Sequence, residues 1–157
     1  RWESAARQWG LDREGLTHVD QIALRPDRPD EVWVVAGKSW YAGRGVLIST
    51  AGGRSWRLEP LLRPDGKEVG IDNGMTARRL LLDETGDGAW YASRDAGLYR
   101  RDPATGAWAN APVSDLAWDG LRLAWLERVR GGLVLAVRAP EAAAGLWWSA
   151  DRGATWT

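Results

Sequence analysis

The sequence of 157 residues contains no cysteine, which excludes both a disulfide framework and a thiolate zinc site. It also carries no net charge, because 21 basic side chains balance 21 acidic ones. A protein that binds nucleic acid needs a basic field to hold the phosphates, so we expect no nucleic acid among the partners. No apolar run approaches the roughly 18 residues of a membrane-spanning helix, and no transmembrane segment is predicted.

Histidine is scarce and phenylalanine is absent. The single histidine, His18, has no second histidine or cysteine with which to share a metal ion or complete a catalytic triad, so we interpret it as a polar residue at a strand end. The sequence also contains no phosphate-binding loop, nucleophile elbow or metal-ligand spacing. We therefore predict no cofactor and no metal site.

Tryptophan is abundant instead, with 12 copies. We interpret most of them as aromatic core residues, and the alternative is that one or two are exposed platforms for a sugar ring or a partner. Four of them, Trp2, Trp56, Trp108 and Trp156, stand 54, 52 and 48 positions apart. A strand-rich unit that returns at this interval is typical of a propeller blade with four strands.

Each of the last three tryptophans ends a turn that follows a short apolar run of strand composition. The fullest copy of the turn is Ser149–Trp156. Its Asp151 and Gly153 are turn formers, because an aspartate side chain bonds its own backbone and glycine accepts a positive φ. The sequence thus repeats a strand, a tight turn and the start of a second strand.

Ser149–Trp156 resembles the Asp-box, or bacterial neuraminidase repeat, whose pattern is Ser-x-Asp-x-Gly-x-Thr-Trp. Ser49–Trp56 has Ala51 in place of the aspartate, and Asp102–Trp108 keeps only aspartate, glycine and tryptophan. Asp-box propellers include sialidases, xyloglucanase-type glycosidases, sortilin-like receptors and photosystem II assembly factors. The resemblance implies structural turns on the rim opposite the ligand face, formed by Ser49, Gly53, Trp56, Asp102, Gly106, Trp108, Ser149, Asp151, Gly153, Thr155 and Trp156.

We therefore predict an all-β chain of β-propeller blades, each with four antiparallel strands, and about three blades in all. The repeat units run approximately over 2–56, 57–108 and 109–157 of a single propeller segment. Three blades do not close a ring, for which four to eight are typical. The further blades are expected from a second copy, which would give a six-bladed homodimer, or from part of a longer protein outside this chain.

The clearest predicted strand is Glu31–Gly37, a β-branched and aromatic run that we expect to be buried on both faces. It follows a turn predicted over Arg25–Asp30 and precedes a loop predicted over Lys38–Arg44. The arginine pairs at 78–79 and 100–101 are interpreted as polar strand ends.

The predicted ligand site is formed by loops on the face opposite the Asp-boxes. Aromatic rings beside basic hydrogen-bond donors suit a sugar, and packing of those rings against the next blade is the alternative. The connector Pro60–Thr76 is longer than most loops in compact domains, and such loops are often functional. The predicted ligand-binding residues are Lys38, Trp40, Tyr41, Arg44, Asp72 and Asn73.

The same connector carries the carboxylates of Asp65, Glu68 and Asp72. A glycosidase needs two carboxylates about 5–10 Å apart, whereas most loop carboxylates are only solvated. We therefore predict a non-enzymatic scaffold that binds a protein segment or a glycan. The alternative is a xyloglucanase-like or sialidase-like glycoside hydrolase whose active site is incomplete in this chain. The compartment stays open, with an extracellular or periplasmic one favoured.

Overall fold

The computed structural model describes residues 16–38, 42–62, 78–83, 88–93, 97–113 and 122–157. These residues form eleven strands in three antiparallel sheets, which we name blades 1, 2 and 3. The predicted all-β class is confirmed. Within these ranges the one helical element is the short 3-10 turn Glu141–Ala143. No helix of the described residues is long and apolar enough to cross a membrane.

Each strand pairs with the next one along the chain, which is the strand order of a propeller blade. Blade 1 contains β1 (Leu16–Arg25), β2 (Arg28–Lys38), β3 (Ala42–Ser49) and β4 (Arg57–Pro60). Blade 2 contains β5 (Arg78–Leu82), β6 (Ala89–Ser93), β7 (Gly97–Arg101) and β8 (Trp108–Asn110). Blade 3 contains β9 (Arg122–Val129), β10 (Gly132–Ala139) and β11 (Gly145–Ser149).

Blade 3 also carries the first pairing of a fourth strand. Thr157 and Trp148 exchange two backbone hydrogen bonds, of 2.8 and 2.9 Å. Blades 1 and 2 therefore have the predicted four strands, and blade 3 has three strands and this single pair. The repeat-unit boundaries after residues 56 and 108 stay predictions.

The blades stack through two apolar cores. The first strands lie side by side, with β1 against β5 and β5 against β9. The core between blades 1 and 2 includes Trp33, Val46, Leu80, Tyr99 and Trp108. The core between blades 2 and 3 includes Trp90, Leu98, Leu126, Leu135 and Trp156. Over the described residues the three sheets form an open series that does not close into a ring.

The hairpin turns are shorter than the sequence predicted. Since β2 begins at Arg28, the first hairpin turns on Pro26 and Asp27 alone. Pairing of Lys38 with Ala42 shortens the next predicted loop in the same way. Register shifts in both pairings, at Leu24/Arg25 in β1–β2 and at Ala36/Lys38 in β2–β3, are the physical reason, because a bulge lets a ladder continue past residues that read as turn formers.

Every blade has two ends that differ in their connections. We call Ser49–Trp56, Asp102–Trp108 and Ser149–Trp156 the box turns. At one end of blade 1 the β1–β2 turn and the first box turn lie together, because Arg25 pairs with Arg28 and Val32 pairs with Ser49. We name this the box end. The β2–β3, β6–β7 and β10–β11 connections leave the opposite end, which we name the loop end.

Candidate functional site

The first predicted ligand loop connects β2 to β3, which meet at the loop end of blade 1. Lys38 is the last residue of β2, and Arg44 lies near the start of β3, so their backbones flank the β2–β3 connection. The other predicted ligand-binding residues lie outside the described ranges. These are Trp40, Tyr41, Asp72 and Asn73. The ligand site therefore stays a prediction from the sequence, with two of its six residues on described strands.

The carboxylates considered for glycoside hydrolysis, Asp65, Glu68 and Asp72, also lie outside the described ranges. Their separation, on which a catalytic pair depends, stays untested. Within the part of the chain that the structure describes, no three His, Cys, Asp or Glu side chains gather in a way that could hold a metal ion.

The last box turn, Ser149–Trp156, is a closed hydrogen-bond network at the box end. The Ser149 hydroxyl donates to Asp151 Oδ1 at 2.8 Å and accepts the Gly153 backbone N–H at 2.6 Å. Asp151 also accepts the backbone N–H of Thr155 at 2.9 Å and its hydroxyl at 2.6 Å. These donors, the Thr155 hydroxyl first, lower the pKa of Asp151 to about 2. Because the carboxylate is occupied by the turn itself, its role is structural.

The first box turn keeps the serine half of this network and loses the aspartate half. The Ser49 hydroxyl accepts the backbone N–H groups of Ala51 at 3.2 Å and Gly53 at 2.9 Å. The Trp56 indole N–H closes the turn by donating to the Gly53 carbonyl at 3.0 Å. Ala51 has no carboxylate with which to bind Ser55 as Asp151 binds Thr155.

The middle box turn uses its aspartate differently. Asp102 Oδ1 accepts the backbone N–H groups of Ala104 at 2.7 Å and Thr105 at 2.9 Å. These two donors, Thr105 first, hold the pKa of Asp102 below its ordinary value. The shifted aspartate seen in the sequence therefore caps its own turn instead of reaching across it.

A first groove lies at the box end between blades 2 and 3. It has a volume of about 270 Å³, and its lining includes Asp83, Arg128, Arg130 and Arg152. Arg128 donates to the Leu82 carbonyl and to Asp83. Arg130 and Arg152 are exposed and form no ion pair with a described carboxylate. The chemistry of this groove suits an anionic group more than a neutral sugar.

A second groove, of about 480 Å³, runs between β7–β8 and the last box turn. Trp90, Arg100, Asp102 and Asn110 are part of its lining. The Arg100 guanidinium stacks over the Trp90 ring at 5.3 Å from its centroid. Gly153 packs against the same ring, where an added Cβ would lie 2.5 Å from it. The faces of Trp90 are thus occupied, and this ring gives no free platform for a sugar.

A buried ion pair joins blades 1 and 2, and no pattern in the sequence indicated it. Glu59 of β4 accepts hydrogen bonds from Arg101 Nε at 2.7 Å and Arg101 Nη2 at 2.8 Å. The Trp108 indole N–H donates to the same carboxylate at 2.9 Å. All three residues are buried. Arg101 is the last residue of β7, which agrees with its interpretation as a polar strand end, but it is buried between blades, whereas its neighbour Arg100 is exposed.

The charge of Glu59 is stabilised against its burial. Burial raises the pKa of Glu59, because desolvation disfavours the carboxylate. The hydrogen bonds from Arg101 and Trp108 and the charges of Arg101 and Arg57 outweigh that effect and hold the pKa below its ordinary value. The pair is therefore ionised at neutral pH and acts as a fixed link between blades.

A second buried pair links the same two blades at the box end. Arg25 Nε donates to Glu31 at 2.8 Å, and the Trp33 indole N–H donates to the same carboxylate oxygen at 2.6 Å. The Arg25 guanidinium also reaches blade 2, where it donates to the carbonyls of Asp83 and Gly88. The residues of both buried pairs therefore lie between blades 1 and 2, and their hydrogen bonds hold the two sheets together.

Comparison with known proteins finds a similar protein whose name refers to a carbohydrate. No family model matches the chain. The chain is similar to a xyloglucanase from Paenibacillus sp., with 26% identity over 190 aligned residues. The alignment covers 100% of this chain and 18% of that relative, so the chain spans less than a fifth of the relative's length. This likeness and the three antiparallel sheets agree with a propeller-like protein related to a carbohydrate-active one.

Proposed function

We propose that the chain is a propeller segment that binds a β-glucan at its loop end and does not hydrolyse it unaided. The observation that carries the proposal is the likeness to a xyloglucanase along the whole chain. The order of three sheets with similar connections supports it, because such a stack presents the β2–β3, β6–β7 and β10–β11 connections on one side. We favour a glycan over a protein segment because that relative is named a xyloglucanase.

The residue types on the first of these connections fit the proposal. A neutral sugar is bound by aromatic rings that cover its apolar face and by a few directed hydrogen-bond donors. The β2–β3 connection contains Trp40 and Tyr41 between Lys38 and Arg44. Many of the described tryptophans are used elsewhere, since Trp33, Trp90, Trp108 and Trp156 are buried in the blade cores.

Calorimetric titration of the chain with xyloglucan oligosaccharides tests the proposal. We expect binding to the β-glucan and a loss of at least tenfold in affinity on Trp40→Ala and on Arg44→Ala. Arg54→Ala is the matched control, because Arg54 is an exposed arginine on the first box turn at the other end of blade 1. Absence of binding to xyloglucan and to other β-glucans would contradict the proposal.

Hydrolysis is the second candidate, favoured by the name of the relative. Release of reducing sugar from xyloglucan that is lost in Asp72→Asn, Glu68→Gln or Asp65→Asn would support an enzyme. Binding without release of sugar supports the scaffold. The two measurements on the same samples therefore separate the candidates.

A further inference from the structure

The first groove, at the box end between blades 2 and 3, is formed by segments that pack tightly within this chain. Its lining includes Asp83, which follows β5, the β9–β10 turn, and Ala150 and Arg152 of the last box turn. The two turns are held together, because Gly132 lies so close to the Ser149 carbonyl that an added Cβ would collide with it. The groove is therefore a fixed feature of two blades that pack against each other.

One of the three arginines in this groove is used by blade packing. Arg128 Nη2 donates to the Leu82 carbonyl at 3.0 Å and to Asp83 Oδ1 at 3.3 Å. Among the described residues that line the groove, Asp83 is the one carboxylate. Its charge is therefore balanced by Arg128 and is not available to the other two arginines.

Those two arginines bring uncompensated positive charge to the groove. Arg130 lies in the β9–β10 turn and Arg152 lies in the last box turn, and both are exposed. In the part of the chain that the structure describes, neither side chain forms a hydrogen bond or an ion pair. Two cations thus share one groove in a chain whose net charge is zero.

The backbone at Arg152 gives a second reason to assign a role to this side chain. Arg152 has a φ of 58° and is the one residue other than glycine in the left-handed region among the described residues. Gly52, which also stands three residues after the serine of its box turn, has a φ of 60°. A side chain in this region strains the backbone, and such strain is typical of functional sites. The turn alone would favour glycine at position 152.

Blade 1 has the same two turns at its box end without these cations. Pro26 and Asp27 form its β1–β2 turn, in the place of Arg130 and Gly131 in blade 3. Gly52 takes the place of Arg152 in its box turn. The two cations are therefore not required by the blade architecture, and the first groove needs a separate explanation for them.

We propose that the first groove binds a doubly charged tetrahedral oxyanion of the phosphate class, held between Arg130 and Arg152. A guanidinium presents N–H donors that match the oxygens of phosphate, and such charge-assisted hydrogen bonds are stronger than neutral ones. Two arginines balance a phosphate monoester, whose charge at neutral pH is about −1.5 to −2. This inference does not depend on the glycan-binding proposal, because it concerns the opposite end of the blades.

The size of the first groove limits what it can hold. Its volume of about 270 Å³ lies below the range of about 300–1,000 Å³ that is usual for sites of drug-sized ligands. The groove therefore suits a single anionic group. Because Arg130, Ala150 and Arg152 are exposed, its mouth is open to solvent, and the organic part of a phosphate monoester can point outward. The free ion and the monoester share this chemistry, and the choice of probe distinguishes them.

Nuclear magnetic resonance of the ¹⁵N-labelled chain, titrated with inorganic phosphate at constant ionic strength, tests the proposal. We expect saturable shifts in the amides of residues 129–132 and 150–152. Arg130→Ala should weaken binding at least about tenfold, because a charge-assisted hydrogen bond is lost. Arg138→Ala is the matched control, since Arg138 is an exposed arginine near the loop end of β10 in the same blade. Shifts that do not saturate, or equal weakening in both variants, would overturn the proposal.

Three further probes identify the class of anion. Sulfate, which is tetrahedral and doubly charged, should bind as phosphate does. Acetate should bind at least about tenfold more weakly, because a single negative charge cannot compensate two guanidinium groups. Tighter binding of glycerol 3-phosphate than of inorganic phosphate would identify a monoester as the source, and the reverse order would identify the free ion. Acetate that binds as tightly as phosphate would contradict the assignment.

Arg152→Gly separates a binding role from a structural one. Because Gly52 has the same backbone conformation in the first box turn, the variant should fold and melt at or above the temperature of the wild type. Its affinity for phosphate should nevertheless fall at least about tenfold, because one of the two guanidinium groups is lost. A residue that acts only within the turn would give the opposite pattern, with lower thermal stability and unchanged phosphate affinity, and that result would overturn the proposal.

Discussion

At the scale of single residues, the carboxylate of Asp151 makes the stability of the last box turn depend on pH. Its pKa is lowered to about 2 by the Thr155 hydroxyl, the Thr155 N–H and the Ser149 hydroxyl. The ordinary pKa of an aspartate is about 3.9. A group whose pKa is lowered by folding contributes stability above the unfolded value and loses it as the pH falls through the folded one.

We therefore expect Asp151→Ala to lower the melting temperature at neutral pH, and its difference from the wild type to shrink as the pH falls from about 4 to about 2. Thermal unfolding followed by circular dichroism across this range measures both effects. Ala51→Asp is the reciprocal variant, since it adds a carboxylate between Ser49 and Ser55 in the first box, and it should stabilise the fold at neutral pH. A difference for Asp151→Ala that persists undiminished at pH 2 would contradict this account.

Gly45 and Gly145 form a matched pair for a second test. Both stand four residues before the serine of a box turn, and both have a φ of 150°. An added Cβ at Gly45 would collide with the backbone carbonyl of Glu59, whereas at Gly145 it would meet nothing within 4 Å. Any strain from the backbone angle is therefore shared, and only the close approach of β4 differs.

Gly45→Ala should destabilise the protein by roughly 1–3 kcal/mol more than Gly145→Ala does, because overpacking against backbone has no easy relief. Urea unfolding of the two variants, followed by tryptophan fluorescence, gives the difference directly. Equal losses in the two variants would mean that the backbone angle alone is limiting.

At the scale of elements, the contact between β4 and β7 rests on the buried pair of Glu59 and Arg101. Removing one partner of a buried pair leaves the other charge without compensation, which costs about 3–5 kcal/mol, whereas replacing both by apolar residues is often near neutral. The Trp108 indole N–H loses its acceptor whenever Glu59 is removed. The pair thus specifies how blades 1 and 2 meet.

We expect Arg101→Leu to cost about 3–5 kcal/mol in the free energy of unfolding, and the double variant Glu59→Leu/Arg101→Leu to cost less than the single one. Denaturant unfolding of the four proteins of the cycle measures the coupling. Arg57→Leu is the control, because Arg57 pairs with the same carboxylate from an exposed position and should cost below about 1 kcal/mol. A double variant worse than Arg101→Leu would contradict a paired role.

The strands could be predicted from the sequence because their signal is local. Glu31–Gly37 lies within β2, and its apolar and β-branched residues are sufficient to indicate a strand. The roles of Arg100 and Arg101 could not be predicted in this way. Adjacent strand residues point to opposite faces, and which face a neighbouring sheet covers is decided by residues far along the chain. The inter-blade links were missed for that reason.

At the scale of the whole molecule, the regular return of tryptophan turns corresponds to three stacked sheets. The three box turns lie at the blade ends opposite the β2–β3, β6–β7 and β10–β11 connections. The ligand site is less accessible to such reasoning. Its aromatic and acidic residues have no periodic pattern, and Trp40, Tyr41 and Asp72 lie outside the described ranges. The titration with xyloglucan oligosaccharides tests their role.

Hydroxyl-radical footprinting of the chain with and without a xyloglucan oligosaccharide tests the central claim most directly. The account predicts protection confined to the loop end, in peptides that contain residues 39–41 and the connections beyond β4 and β6. The box turns at 50–55, 102–107 and 150–155 should react equally in both samples. Protection of the box turns with no change at the loop end would contradict the account.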